Sequence, residues 1–135
     1  MTASAYDRLN TPDRPEVKPV PSHRKNWFPG QTMLIPTARQ IDAFVRAIPY
    51  GQRIDITAMR KQMADAYNAS FTCPVTTTKH VRLIVEATLD ALHQGESAST
   101  ITPIWRTVDP AAHAARRIPG ATELITAHRT EEGIE

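Results

Sequence analysis

Cysteine occurs once in the 135 residues, at Cys73, which excludes an internal disulfide framework and any cysteine-rich zinc site. Glycine is scarce as well. Gly30, Gly51, Gly95, Gly120 and Gly133 stand singly, so no glycine-rich loop exists to cradle a phosphate. No apolar run approaches the ~18–20 residues that cross a bilayer. The opening Met1-Thr2-Ala3-Ser4-Ala5-Tyr6-Asp7-Arg8 lacks the charged-then-apolar layout of a signal peptide. The expectation is therefore a cytoplasmic protein without a membrane partner. Neither sign of charge dominates, with 16 Lys+Arg against 14 Asp+Glu. That balance permits a nucleic-acid partner without arguing for one, because placement of charge matters more than its total. His23, His80, His93, His113 and His128 form no pair at i, i+3 or i+4, and no carboxylate completes a ligand cluster. Neither a metal nor any other cofactor is expected.

Proline, by contrast, is abundant and unevenly placed. Five of the eleven, Pro12, Pro15, Pro19, Pro21 and Pro29, fall in the first thirty residues. Each removes a backbone donor and pushes its predecessor out of helical geometry, so residues 1–30 predict an extended tail, mobile or draped on the domain. Trp27-Phe28 is its apolar element, read as an anchor to the core or as a partner-binding motif. Residues 31–135 are enough for one domain.

Within them the apolar spacing is helical. Thr37 caps a first helix to Ala47, with Ile41, Phe44, Val45 and Ile48 on one stripe. Asp55 or Thr57 caps a second, with Ile56, Met59, Met63 and Tyr67 inward and Arg60 and Lys61 toward solvent. Thr76-Thr77-Thr78 offers caps for a third, ending near His93 before Gly95. Ile101 to Val108 is rich in β-branched residues and suits a short strand. Residues 109–120 read as a loop, and Thr122 caps a last helix to Glu131. The fold class expected is mainly α with a short strand pair.

The candidate chemistry is binding rather than catalysis. Cys73, beside Pro74 at a helix start, is either a reactive thiol under a positive helix terminus or a buried structural one. Thr76-Thr77-Thr78-Lys79-His80-Val81-Arg82 gathers hydroxyls, amides and two cations where a helix dipole favours an anion such as phosphate. An ordinary capped helix with solvated charges would look the same. The second helix, the Cys-Pro break and the third helix have the lengths of a helix-turn-helix. Arg116-Arg117 could serve as a basic wing.

Five segments in order resemble a known family: Ile48-Pro49-Tyr50-Gly51-Gln52-Arg53-Ile54, a helix ending near Met63-Ala64, the Thr-rich helix start, Thr102-Pro103-Ile104-Trp105-Arg106-Thr107-Val108, and Glu131-Glu132-Gly133-Ile134. Together they are similar to the C-terminal DNA-binding domain of the methylated-DNA–protein-cysteine methyltransferases and their alkyltransferase-like relatives. The resemblance covers about residues 33–134 and implies a winged helix-turn-helix that enters the DNA minor groove. It also places Ile104 where the methyl-accepting cysteine belongs, Trp105 at the activating histidine, and Arg106 at the family's arginine. Isoleucine accepts no alkyl group, so the chain is expected not to be an enzyme. Ile56 falls at the base-rotating tyrosine and Lys79 at the arginine finger, which leaves Ile56, Ile104 and Trp105 as a degenerate base pocket.

The resemblance thus implies a non-enzymatic DNA-binding protein that takes double-stranded DNA, alkylated or not, as its partner. Thr76, Thr77, Thr78, Lys79, Arg82 and Arg106 would meet the DNA. The alternative keeps the scaffold as a protein–protein interaction module, with the N-terminal tail as its contact element. Lys79, Arg82, Arg106 and Arg116 on one face would favour DNA.

Overall fold

The computed structural model describes residues 5–9, 13–20 and 30–135; Trp27-Phe28 lies outside them. In chain order it has β1 (Glu16–Pro19), β2 (Thr32–Ile35), α1 (Ala38–Arg46), α2 (Ile56–Ala66), β3 (Phe71–Thr72), α3 (Pro74–His93), α4 (His113–Arg116) and α5 (Ala121–Glu132). Short 3-10 turns occupy Ala5–Leu9 and Ile104–Arg106. The protein is mainly helical, with one small sheet ordered β1-β2-β3. β1 pairs antiparallel to β2, Val17 opposite Leu34, and β3 pairs parallel to it, Leu34 opposite Thr72.

Local chemistry sets the first two helix starts. The Thr37 hydroxyl accepts from the Gln40 amide at 3.0 Å, and the Asp55 carboxylate accepts from the Ala58 amide at 2.8 Å. Each satisfies one amide that the first helical turn leaves without a partner. Asp55→Ala should therefore cost about 1 kcal/mol, read as a fall of roughly 3–5 °C in thermal melting followed by circular dichroism. An unchanged melting temperature would remove the cap from the account. Inward, Ile41 and Val45 of α1 meet Val81, Ile84 and Val85 of α3 in a single core that also holds Met59, Met63 and Ile125.

Residues 109–120, expected as a loop, contain the short helix α4, and Tyr67, expected on the inward stripe of α2, is exposed because α2 ends at Ala66. Three further expectations fail at element boundaries. α3 begins at Pro74, not within Thr76-Thr77-Thr78, because proline's missing N–H costs nothing at a first helical position. The three threonines are therefore inside its first two turns. Thr122 is likewise inside α5, whose preceding residue is Gly120, and its hydroxyl donates to the Pro110 carbonyl at 3.0 Å. Ile101 to Val108 forms no strand. Ile101, Thr102, Ile104, Trp105, Thr107 and Val108 are all buried, but no strand of the β1-β2-β3 sheet lies beside them to pair, and Pro103 offers no ladder donor. The segment's amides close locally instead, Arg106 N–H on the Pro103 carbonyl at 3.0 Å and Val108 N–H on Ile104 at 2.8 Å.

Of the described parts of residues 1–30, the Ala5–Leu9 turn packs on α3, while β1 joins the sheet through β2 with its four residues exposed. Leu9 and Val20 are buried. The Tyr6 hydroxyl donates to Thr88 Oγ1 at 3.3 Å and accepts the Thr102 amide at 2.8 Å. β1 remains an edge strand that ends in Pro19, where proline's lost donor faces no ladder partner. Among the described residues, no helix is long and apolar enough to cross a membrane.

Candidate functional site

The three segments richest in sequence signal meet in space. The turn at Tyr50-Gly51, the buried Trp105-Arg106 pair and the end of α5 close around the Glu132 carboxylate. Gly51 N–H donates to Oε1 at 2.8 Å, and Arg106 holds both oxygens as a fork, Nε on Oε1 at 2.9 Å and Nη2 on Oε2 at 3.0 Å. The indole N–H of Trp105 donates to Oε2 as well. Arg106 Nη1 reaches back to the Ile48 carbonyl at 2.9 Å, and its guanidinium lies 5.6 Å from the centre of the Tyr50 ring. On the other side the Trp105 indole stacks on His128, 4.0 Å between centroids and 16° from parallel.

Two glycines make this geometry possible. Gly51 has φ +80°, a left-handed conformation in which a side chain would be strained, although a Cβ there would meet only an ordinary contact with the Glu132 carbonyl oxygen at 3.5 Å. Gly133 takes φ +72° just past the end of α5, which lets the Ile134 amide close on Arg129 at 2.8 Å. One turn earlier in α5, Arg129 is buried, donating Nε to the Trp105 carbonyl at 2.8 Å and Nη2 to the Val108 carbonyl at 3.1 Å. Burial lowers its pKa, the Asp109 charge opposes that, and Arg53 adds to it. For Glu132, burial pushes the carboxyl up, but hydrogen bonds from Arg106, Gly51 and Trp105 and the Arg106 charge outweigh it, and the net shift is downward.

The three positions of the expected base pocket carry no polar side chain but the Trp105 indole. Ile104 and Trp105 are buried, Ile56 is half-buried, and the Glu132 oxygens are all engaged. A cleft of about 180 Å³ runs beside it, lined by Arg46, Ser99, Ile101, Pro103, Trp105 and Arg106. Among the described residues, no group of three or more His, Cys, Asp or Glu side chains could hold a metal.

The residues predicted to meet DNA divide into two sets. On α3, Thr78, Lys79 and Arg82 are exposed and share a face with Val75, which is 74% exposed. The first turn of the helix carries no acid, and Arg82 reaches Glu86 at 3.4 Å one turn later. Thr76 and Thr77 turn inward: the first donates to Cys73 Sγ at 3.4 Å, and the second, 1% exposed, donates to the Cys73 carbonyl at 2.7 Å. Thr77 is thus part of the helix start itself, and its hydroxyl is unavailable to a ligand. Arg106 is not on this face either; its side chain is 15% exposed and its charge is neutralised by Glu132. Arg116 is exposed on α4. Burial and Lys79 lower the pKa of His80, opposed by a hydrogen bond to Pro36 and the charge of Asp13.

Arg129 and Tyr6 are structurally decisive residues that sequence reasoning passed over, and Glu132 entered it only as part of the Glu131-Glu132-Gly133-Ile134 segment, without a role. Glu132 stood in a run of acids that resembles a fraying end, and nothing in one dimension separates it from Glu131. Arg129 did carry a signal, since Ala121, Ile125 and Arg129 recur at i, i+4, i+8 on a buried stripe. Compared with protein-family models, curated proteins and solved structures, the chain matches none.

Proposed function

We propose that this chain is a non-enzymatic DNA-binding protein, winged-helix-like and related to the alkyltransferase-like proteins, that grips duplex phosphates through the exposed start of α3. The observation that carries the reading is the stripe Val75, Thr78, Lys79, Arg82, spaced i, i+3, i+4, i+7 and free of acids in the first turn. Two cations, a hydroxyl and an apolar tip along one helix edge are what a phosphate backbone meets well. Arg106 has a different part: with Glu132 it braces the floor on which the family-like pocket would stand. The cleft beside Trp105 is where an extruded base would go, and alkylation of that base is the feature it would read.

A second reading has its own support. Because Arg106 is consumed by Glu132, the cations Lys79, Arg82, Arg106 and Arg116 do not act as one free set. The same scaffold then serves a protein partner.

Fluorescence anisotropy with a short labelled duplex, with and without O6-alkylguanine, separates them. Binding should weaken with salt by about one power per neutralised phosphate. Replacing Lys79 and Arg82 together by glutamine should lower that slope by roughly 2. Preference for the modified duplex supports lesion reading, and equal salt-sensitive binding supports a backbone binder. Absence of binding even at low salt sinks the DNA reading in favour of the protein partner.

A further inference from the structure

We propose that the cleft between α2 and β3 is a binding site for a phosphate group. It is an open cleft of about 330 Å³ lined by Thr57, Arg60, Lys61, Asp65, Ser70 and Phe71, among others. The spacing of α2 predicts Arg60 and Lys61 as solvated cations. Lys61 is one, but Arg60 is half-buried and fixed.

Arg60 donates both Nε and Nη2 to a single acceptor, the Thr72 carbonyl, at 3.3 and 3.1 Å. Thr72 answers by donating its hydroxyl to the Arg60 carbonyl at 2.7 Å. The guanidinium is thereby held against the end of β3 before any ligand arrives. A guanidinium has five N–H donors, so three remain. Among the described residues, no carboxylate forms an ion pair with Arg60. An ordered, half-buried cation with spare donors is pre-organised for a planar or tetrahedral oxyanion, because its ordering cost does not recur on binding.

The rest of the cleft adds donors. Ser70 Oγ accepts the Thr32 amide at 3.1 Å, which leaves its hydroxyl proton free to donate, and Thr57 offers a second hydroxyl. Lys61 pairs with Asp65 at 2.9 Å, so the cleft's one carboxylate is neutralised within the lining and the Arg60 charge stands over. Phosphate presents three strong acceptor oxygens to such a set. Phe71 and Ala64 complete the lining with apolar atoms.

The site does not depend on the DNA reading, because a free phosphate monoester offers three non-bridging oxygens to these donors and a phosphodiester backbone offers two. Nitrogen-15 NMR on the full chain distinguishes them, with inorganic phosphate, a nucleoside 5′-monophosphate and a short duplex as probes against chloride at matched ionic strength. The expected result is a saturable shift of the Arg60 Nε–H and of the Thr57 and Ser70 amides. Arg60→Gln should weaken it about tenfold through lost charge-assisted bonds. Lys61→Gln, at an exposed ion pair, should weaken it only about two- to threefold. Shifts with the duplex alone assign a backbone phosphate; shifts with the mononucleotide assign a small phosphorylated ligand. Should Arg60→Gln fail to fold, Arg60→Lys, which keeps the charge and loses the fork, and Thr57→Val carry the same test. No saturable shift with any of the three probes overturns the site, and so does undiminished binding in the Arg60 variants.

Discussion

Glu132→Gln should lower the unfolding free energy by about 3 kcal/mol, the scale for breaking one side of a buried ion pair. Its carboxylate is 3% exposed and accepts from Gly51, from Trp105 and twice from Arg106. Glutamine would turn an N–H₂ group toward donors it cannot satisfy and leave the Arg106 guanidinium without its counter-charge. For a domain of this size that is a fall of roughly 10 °C in melting temperature. The pH dependence has a definite sign. The folded-state pKa of Glu132 lies below the ordinary 4.5, so its contribution is complete above that value and is lost as pH falls through the folded pKa. Urea unfolding of the two proteins should therefore converge as pH drops below 4.5, with the full gap restored at neutrality. The Glu132→Leu, Arg106→Met double variant should recover part of the loss, because neither charge is then stranded. A loss below about 1 kcal/mol for Glu132→Gln would class the pair with exposed salt bridges and end the argument for a brace.

Trp105→Ala should cost as much or more, about 3–5 kcal/mol, the range for deleting a buried aromatic. The indole is 3% exposed, stacks on His128 and donates to Glu132, while its carbonyl receives Arg129. Trp105→Phe separates these roles, since it keeps the stack and loses the donor, and should cost about 1–2 kcal/mol. Chemical denaturation of both variants measures the difference. If Trp105 were only the wall of an open base pocket, alanine would leave stability within about 1 kcal/mol while weakening binding to a modified duplex. The burial argues for the larger loss.

Parts of this arrangement were legible in the sequence because they depend on neighbours a few residues away. Thr37 and Asp55 cap the helices they precede, and Ile41, Val45, Met59 and Met63 point inward as their spacing requires. Two local signals misled. A run of threonines looks like a cap wherever it stands, but Pro74 supplies an earlier start that needs no amide partner. The β-branched residues between Ile101 and Val108 suit a strand only if a neighbouring strand exists to receive them; buried on all sides, they close into a 3-10 turn.

The sequence by itself determined a mainly helical domain, its apolar stripes, its main turns and the exposed basic start of α3. Each follows from backbone sterics, capping and period, which act over one or two turns of chain. Only the tertiary structure decided that Arg106 faces Glu132 rather than a ligand, that Arg60 is fixed on Thr72, and that Tyr6 reaches Thr88 and Thr102. Those pairings join residues up to 96 positions apart. An arginine's five donors satisfy a carboxylate, a carbonyl or a phosphate alike, and which it meets depends on what the fold brings beside it.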